Sequence, residues 1–261
     1  QTELYKDQAK NDEILNYAQQ NHLSYRFTPA SGDLFTGNIT VELFANRPVV
    51  AVNQTALIGW GRILKRLFDI LASGVLLVIS SPLFLVITIL QLLGGGDVFF
   101  RQTRLTRFNN EFRVYKFRTV LPTFNGLSPE EAFKKMGKPE LIKKYRDNGD
   151  KLPKDPRYGM LGNFLRKTSL DELPQLLNVY RGDISLVGPR ALLPQELSAY
   201  EKKHAILSVK SGLTGLAQVS GRRNIGFEER RKLDMYYVQN WSFSLDLIIL
   251  VKTIRVIFSR F

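Results

Sequence analysis

Apolar positions crowd into one stretch of this chain. From residue 67 to 93 the sequence LFDILASGVLLVISSPLFLVITILQLL carries a single charge, Asp69. It runs for roughly 27 residues, where about 20 apolar helical residues cross a bilayer. The pattern predicts a membrane helix. Ser80-Ser81-Pro82 interrupts it near the middle. Pro82 has no backbone donor and its ring clashes with the preceding turn, so a kink is expected, with serine hydroxyls taking up freed carbonyls. Two shapes fit: a kinked spanning helix, or a helix–break–helix hairpin that enters and leaves on one face. Lys65 and Arg66 precede the run; Arg101, Arg104 and Arg107 follow it. Basic flanks favour the cytoplasmic side. Flanks at both ends therefore favour the re-entrant hairpin.

The rest of the chain alternates shorter patterns. Residues 12–20 read as a helix, and residues 23–27, 41–44 and 48–52 as strands. Three strands and a helix make a poor independent domain. Residues 99–120 predict a β-hairpin turning at Asn109-Asn110, because residues 112–117 alternate apolar with polar. Ser128-Pro129-Glu130-Glu131 opens a helix in a polar insert that runs to Lys154. A helix of about two turns leads to Arg166 and Lys167. Helices follow at 194–205 and 227–240, the second with solvated charges; there Asp234 and Tyr236-Tyr237 are expected to pack. The last stretch sets aromatic and aliphatic residues beside Lys252, Arg255 and Arg260. It is too charged for a second span and fits an amphipathic helix in the interface, with Trp241 and Phe243 at headgroup depth.

Charge adds a partner class. Lys plus Arg number 37 against 24 Asp plus Glu, a formal charge of +13. Such an excess suits a polyanion: nucleic acid, an anionic membrane face or a phosphorylated substrate. With no cysteine and two histidines, disulfides, thiolate sites and zinc spacings are excluded. There are no repeats, and no Walker or dinucleotide fingerprint. The chain opens on Gln1 without a leader pattern, so it is expected to begin inside a longer protein.

Candidate chemistry centres on residues 166–190, RKTSLDELPQLLNVYRGDISLVGPR. Asp171 and Glu172 stand side by side, with Arg166, Lys167, Arg181 and Arg190 nearby in sequence. Carboxylates among cations suit phosphate chemistry: one acid acts as nucleophile or metal ligand while cations hold phosphate oxygens. The plain alternative is a capping box, Ser169 with Glu172, and Asp171 favouring a helix dipole. Lys116 and Arg118, two apart on a strand, would share a face as phosphate ligands. Arg157 is a further candidate. VKSGLTGLAQVSGRRN, ending in Arg222 and Arg223, suits a phosphate or nucleotide turn. A membrane-anchored basic module that binds anionic polymers would also fit the charge, but gives no reason for the acid pair.

KRLFDI, the SSP break, VFFRQTR, VYKFRTV, DPRYG, LRKTSLDELPQLLNVYRGDISLVGPR and SGLTGLAQVSGR occur in that order. This set resembles the bacterial sugar transferases, the monotopic phosphoglycosyl transferases acting on polyprenyl phosphate. The resemblance covers residues 62–261. It implies an α+β monotopic membrane protein: a C-terminal remnant of a Rossmann-like α/β domain at 1–60, a re-entrant membrane hairpin at 61–98 broken at Ser81-Pro82, and a catalytic domain at 99–261 with a small β-hairpin, helices around the active site and an interfacial C-terminal helix. The implied reaction moves a sugar-1-phosphate from a UDP-sugar to polyprenyl phosphate, as the first membrane step of exopolysaccharide, capsule or O-antigen synthesis. Asp171 would be the nucleophile, attacking the β-phosphorus and releasing UMP, with its charge kept by a helix-start dipole and nearby cations. Mg²⁺ is implied, with Asp171 and Glu172 as candidate ligands; Glu172 either binds the metal or only positions. Lys116, Arg118 and Arg190 match family positions near phosphate; Arg157, Arg166, Arg222 and Arg223 remain phosphate and nucleotide candidates from their place in the sequence. Location would be the cytoplasmic face of a bacterial inner membrane, with lipid and no nucleic acid as partner; a homodimer is compatible. Ala191 after the GPR motif, Val120 after KFRT and the long insert at 121–150 depart from the common pattern and leave the sugar open.

Overall fold

A computed structural model describes residues 8–27, 38–44, 47–53, 55–148, 152–199, 203–220 and 226–259. In chain order the elements are α1 (Gln8–Gln20), β1 (Tyr25–Phe27), β2 (Asn38–Phe44), β3 (Arg47–Asn53), α2 (Gly59–Leu93), β4 (Phe99–Leu105), β5 (Glu111–Phe117), α3 (Pro129–Lys135), α4 (Glu140–Asp147), α5 (Met160–Thr168), α6 (Gln175–Arg181), β6 (Ser185–Val187), α7 (Lys203–Ile206), β7 (Gly212–Thr214), α8 (Leu216–Ser220), α9 (Phe227–Gln239) and α10 (Phe243–Phe258). The class is α+β, mostly helical with small sheets. The chain divides into two compact units. One comprises Gln1–Ala72, Thr103–Phe112 and Val179–Val256; the other comprises Ser73–Gln102, Arg113–Asn178 and Ile257–Phe261.

In the first unit, β1, β3 and β2 form an antiparallel sheet in that order, with Tyr25 opposite Val52 and Val41 opposite Val50. Ala18 of α1 packs with Tyr25, Phe27 and Val50 beneath it. β2 and β3 are separated only by residues 45–46, and so short a link permits only an antiparallel pair.

The start of α2 is anchored by polar bonds. Lys65 Nζ meets Asp246 Oδ2 of α10 at 2.6 Å, both buried. Tyr237 and Trp241 also donate to the Asp246 carboxylate, at 2.7 and 3.0 Å. Arg66 donates to the carbonyls of Val179 and Tyr180, the last turn of α6. Asp69 accepts from Leu186 N–H. Lys65 and Arg66 are therefore structural partners as well as flanking charges. Of the two tyrosines expected to pack, Tyr237 is buried and Tyr236 is exposed. The predicted helix at 194–205 is instead a 3-10 turn, Pro194–Ala199, and the short α7. α10 buries Asp246 and Ile249 and exposes Leu247, Ile248, Val251, Ile254 and Phe258.

The Gly-rich stretch is spent on packing. β6 and β7 pair in parallel, Ser185 with Gly212 and Val187 with Thr214. A Cβ at Gly212 would fall 2.1 Å from Gly188 N, and one at Gly215 would fall 2.1 Å from Gly188 O. Gly212 and Gly215 let backbones touch. Arg222 and Arg223 lie outside the described residues.

α2 is one helix of 35 residues with Pro82 inside it. Only 11% of its most apolar window is buried, so it is not the core helix of a soluble domain. Its exposed apolar length associates the chain with a membrane. Pro82 cannot donate to Val78 O four residues back. Ser81 Oγ donates to that carbonyl at 2.8 Å, which replaces the missing bond.

In the second unit, Ile87 of α2, Phe117 of β5 and Leu165 of α5 make the buried centre, flanked by Phe84, Phe99, Leu170 and Leu173. β4 and β5 form the expected two-stranded sheet. Its connection turns at Phe108 and Asn109, both at φ 60, one residue before the predicted turn. The insert forms two helices, not one. α3 starts on a full capping box, Ser128 with Glu131, and Gly137 at φ +70 separates it from α4.

Candidate active site

The acid pair sits where α5 gives way to a single 3-10 turn, Leu170–Glu172. Ser169 makes the break in the left-handed conformation, φ 61 and ψ 15, which is uncommon for a residue with a side chain. In 3-10 geometry residues three apart eclipse. Leu170 and Leu173 thus both point into the core around Phe117, and Asp171 and Glu172 are turned away from it. This is not the capping box the spacing allowed. Ser169 makes no capping bond to the turn, and Glu172 Oε1 instead receives Lys116 Nζ from β5 at 2.7 Å.

Two close approaches bring β5 to the turn. Gly162 lets α5 lie against the end of the strand, since a Cβ there would fall 1.8 Å from Thr119 O. Asn178 of α6 accepts from Tyr115 N–H and donates to Arg113 O. Lys116 is thereby held opposite the acids.

Burial raises the Asp171 carboxyl to about 6, and the Glu172 charge adds to the rise; Lys116 and Arg166 pull it back. The turn runs through Leu173 and Pro174 into α6, and a backbone hydrogen bond at Asp171 also lowers the value. At neutral pH the group is still mostly ionised, and poorly solvated, which suits a nucleophile.

The predicted cations separate by how their guanidinium edges are used. Arg157 is buried, and donates to both oxygens of Asp155, from Nε at 2.9 Å and Nη2 at 2.6 Å. Phe133 and Tyr145 lie 4.8 and 4.9 Å from its guanidinium carbon. Asp155 thus occupies its Nε and Nη2 donors, and the structure uses it as a brace. Arg118 is also buried, beyond the end of β5. It donates to Gly95 O at 2.7 Å and Gln91 Oε1 at 3.3 Å, capping the C-terminal end of α2. Only its Nη1 lacks a partner. Lys116 and Arg118 thus have different partners, Glu172 for the first and the end of α2 for the second. Arg166 is exposed, lies over the Tyr158 ring at 4.1 Å, and has no hydrogen bond among the described residues. Its whole edge is free.

Arg190 belongs to the first unit. Its guanidinium reaches Glu196 Oε1 at 3.4 Å, and its main-chain N–H donates to the Asp234 carboxylate. Burial raises Asp234 to about 7, opposed by Arg230 and Arg190. Sequence reading assigned Asp234 to packing and passed over Tyr158. The signals were an acid four residues after Arg230, and an aromatic between Arg157 and Arg166.

Among the described residues no three His, Asp or Glu side chains gather around one point. An all-protein metal cage is therefore not built here. The Asp171–Glu172 pair fits Mg²⁺ in its other common mode, in which one or two carboxylates share the ion with phosphate oxygens and water. A divalent cation would also relieve the repulsion between the two acids.

An exposed membrane-length helix, with a carboxylate pair among cations in an α+β body, defines a membrane-associated protein built for phosphate chemistry. Residues 60–260 match the bacterial sugar transferase family, and the chain belongs to that family. It is 42% identical over 199 residues to the exopolysaccharide production protein ExoY of Rhizobium meliloti, covering 76% of this chain and 86% of that protein. It is 40% identical over 201 residues to the undecaprenyl-phosphate galactose phosphotransferase of Salmonella typhimurium, covering 76% of this chain and 41% of that one. Against the UDP-glucose:undecaprenyl-phosphate glucose-1-phosphate transferase of Escherichia coli the identity is 34% over 238 residues, or 85% and 47% of the two chains. The chain thus spans most of the first relative and less than half of the other two.

Proposed function

We propose that the chain is a phosphoglycosyl transferase that moves a sugar-1-phosphate from a UDP-sugar to undecaprenyl phosphate and releases UMP. Its product would be the first lipid-linked sugar of an exopolysaccharide, capsule or O-antigen. The carrying observation is Asp171: a half-buried carboxylate with its charge poorly solvated, beside Glu172, Lys116 and the free edge of Arg166. Asp171 attacks the β-phosphorus, a phosphorus–oxygen bond forms, and the bond to UMP breaks. An oxygen of the lipid phosphate then attacks the same phosphorus, and the bond to Asp171 breaks. Lys116 keeps Glu172 in place, and Arg166 offers N–H donors to the diphosphate. Mg²⁺ held by Asp171 and Glu172 supplies positive charge against the phosphate oxygens.

We further propose that α2 is re-entrant and that both its ends lie at the cytoplasmic face of the inner membrane. At its start Lys65, Arg66 and Asp69 are bonded to residues between 179 and 246. Near its end Gln91 and Gly95 are bonded to Arg118. No described helix after α2 is long and apolar enough for a return crossing. Connectivity then favours both ends on one side.

The test is UMP release from a panel of UDP-sugars with undecaprenyl phosphate and Mg²⁺. Asp171→Asn is expected to abolish both UMP release and the trapping of a phosphosugar on the protein. Full activity in that variant would remove the nucleophile.

A further inference from the structure

Arg157, Tyr158 and Arg166 form a stack, and its two arginines are held in opposite ways. Arg157 is fixed by its edge. Asp155 takes two of its donors, and Phe133 of α3 and Tyr145 of α4 flank it. Its guanidinium carbon lies 5.5 Å from the Tyr158 ring centre. Tyr158 is anchored through its own main chain as well, donating to Asp155 O at 3.2 Å and bridging to Val120. The ring is thus set by a buried ion pair and by the two helices of the insert. Arg166, in the last turn of α5, rests over that ring with its guanidinium carbon 4.1 Å from the ring centre, a distance at which the flat face of the group can lie on the ring.

A guanidinium held by its face keeps all its N–H donors in one plane, ready for a phosphate oxygen pair. A guanidinium held by its edge does not. An arginine left unstacked would lose much rotamer freedom on binding. We propose that Tyr158 is a positioning residue for Arg166, holding the guanidinium by its face so that the N–H edge stays free for the diphosphate of the sugar donor. The identity of that diphosphate rests on the function proposed above. Arg166 is close enough to Asp171 to act on its charge, so the ligand it holds is the one beside the nucleophile. The polar insert gains a role: α3 and α4 brace Arg157, and Arg157 braces the platform.

The alternative is that Tyr158 is ordinary packing under the stem of Arg166. Binding of UDP to the full chain in lipid nanodiscs, measured by calorimetry, separates the two. Tyr158→Phe keeps the ring and should bind UDP within about twofold of the unchanged protein. Tyr158→Leu keeps apolar bulk but removes the ring, and should weaken UDP roughly three- to tenfold. Tyr158→Ala should do the same, and melting curves show whether either variant loses its fold. Arg166→Ala should weaken UDP at least as much, and adding Tyr158→Leu to it should cost nothing more. In UMP-release assays the loss in Tyr158→Leu should fall on KM for the UDP-sugar, with kcat close to unchanged. UDP affinity unchanged in Tyr158→Leu, losses that add in the double variant, or no UDP binding at all would overturn the proposal. If the UDP results hold and no UDP-sugar yields UMP, the positioning role stands and the proposed reaction falls.

Discussion

Asp171→Asn should remove the proposed chemistry and strengthen the fold. In the native protein, burial and the neighbouring Glu172 charge raise this carboxyl from 3.8 to about 6. At 1.36 kcal/mol per pH unit, that rise is a penalty of about 3 kcal/mol on the ionised form. The side chain is half-buried, and water screens part of the cost, so about 1–2 kcal/mol is the reasonable figure. The folded value lies above the unfolded one, so the native state prefers the protonated acid. The penalty is complete above about pH 7, shrinks as pH falls through 6, and is gone below about pH 4. Asparagine is neutral throughout. For a chain of this length, about 2–4 °C of melting midpoint accompanies each kcal/mol. Thermal unfolding in detergent, followed by tryptophan fluorescence, should therefore show the variant roughly 2–8 °C more stable at pH 8 and level with the unchanged protein near pH 4. A variant no more stable at pH 8, or more stable by the same margin at both pH values, would refute the assignment of burial strain to this carboxylate.

Gly162→Ala should destabilise the second unit, because the new methyl falls 1.8 Å from Thr119 O and the obstacle is main chain; a loss of about 2 kcal/mol or more should appear in denaturant unfolding, with kcat/KM falling as Lys116 and the acids move apart. Lys65→Met should cost about 3–5 kcal/mol, since it leaves the buried Asp246 carboxylate without its cation. Loss of that anchor should also lower the yield of folded protein from membranes, and an unchanged melting curve would contradict the buried pair. The chain has no cysteine, so Trp60→Cys and Phe124→Cys can each be labelled without background. Both should react from the cytoplasmic side of sealed vesicles; reaction from opposite sides would make α2 a through-going span.

Much of the architecture was legible before any coordinates. The length and apolarity of 67–93 call for a lipid-facing helix, because no soluble core buries that much continuous side chain. The Ser128–Glu131 cap, the β4–β5 pair and the packing of Tyr237 also follow from local spacing. The described glycines at 212 and 215 show why a Gly-rich stretch is ambiguous in sequence. A glycine that admits a phosphate and one that admits a neighbouring backbone look alike in sequence, and here Gly212 and Gly215 meet Gly188. The spacing of Ser169 and Glu172 allowed a capping box, but Glu172 is taken by Lys116, a partner 56 residues away in the chain.

Composition and order alone determined that this protein meets a membrane, carries an excess of cations, and sets two acids among them. Tertiary structure alone decided which cations remain available. Whether a guanidinium has donors to spare depends on partners remote in the chain: Gln91 for Arg118, the insert rings for Arg157, the Tyr158 ring for Arg166. A side chain's type is local information, but the occupancy of its hydrogen-bonding edge is set only when distant segments come together.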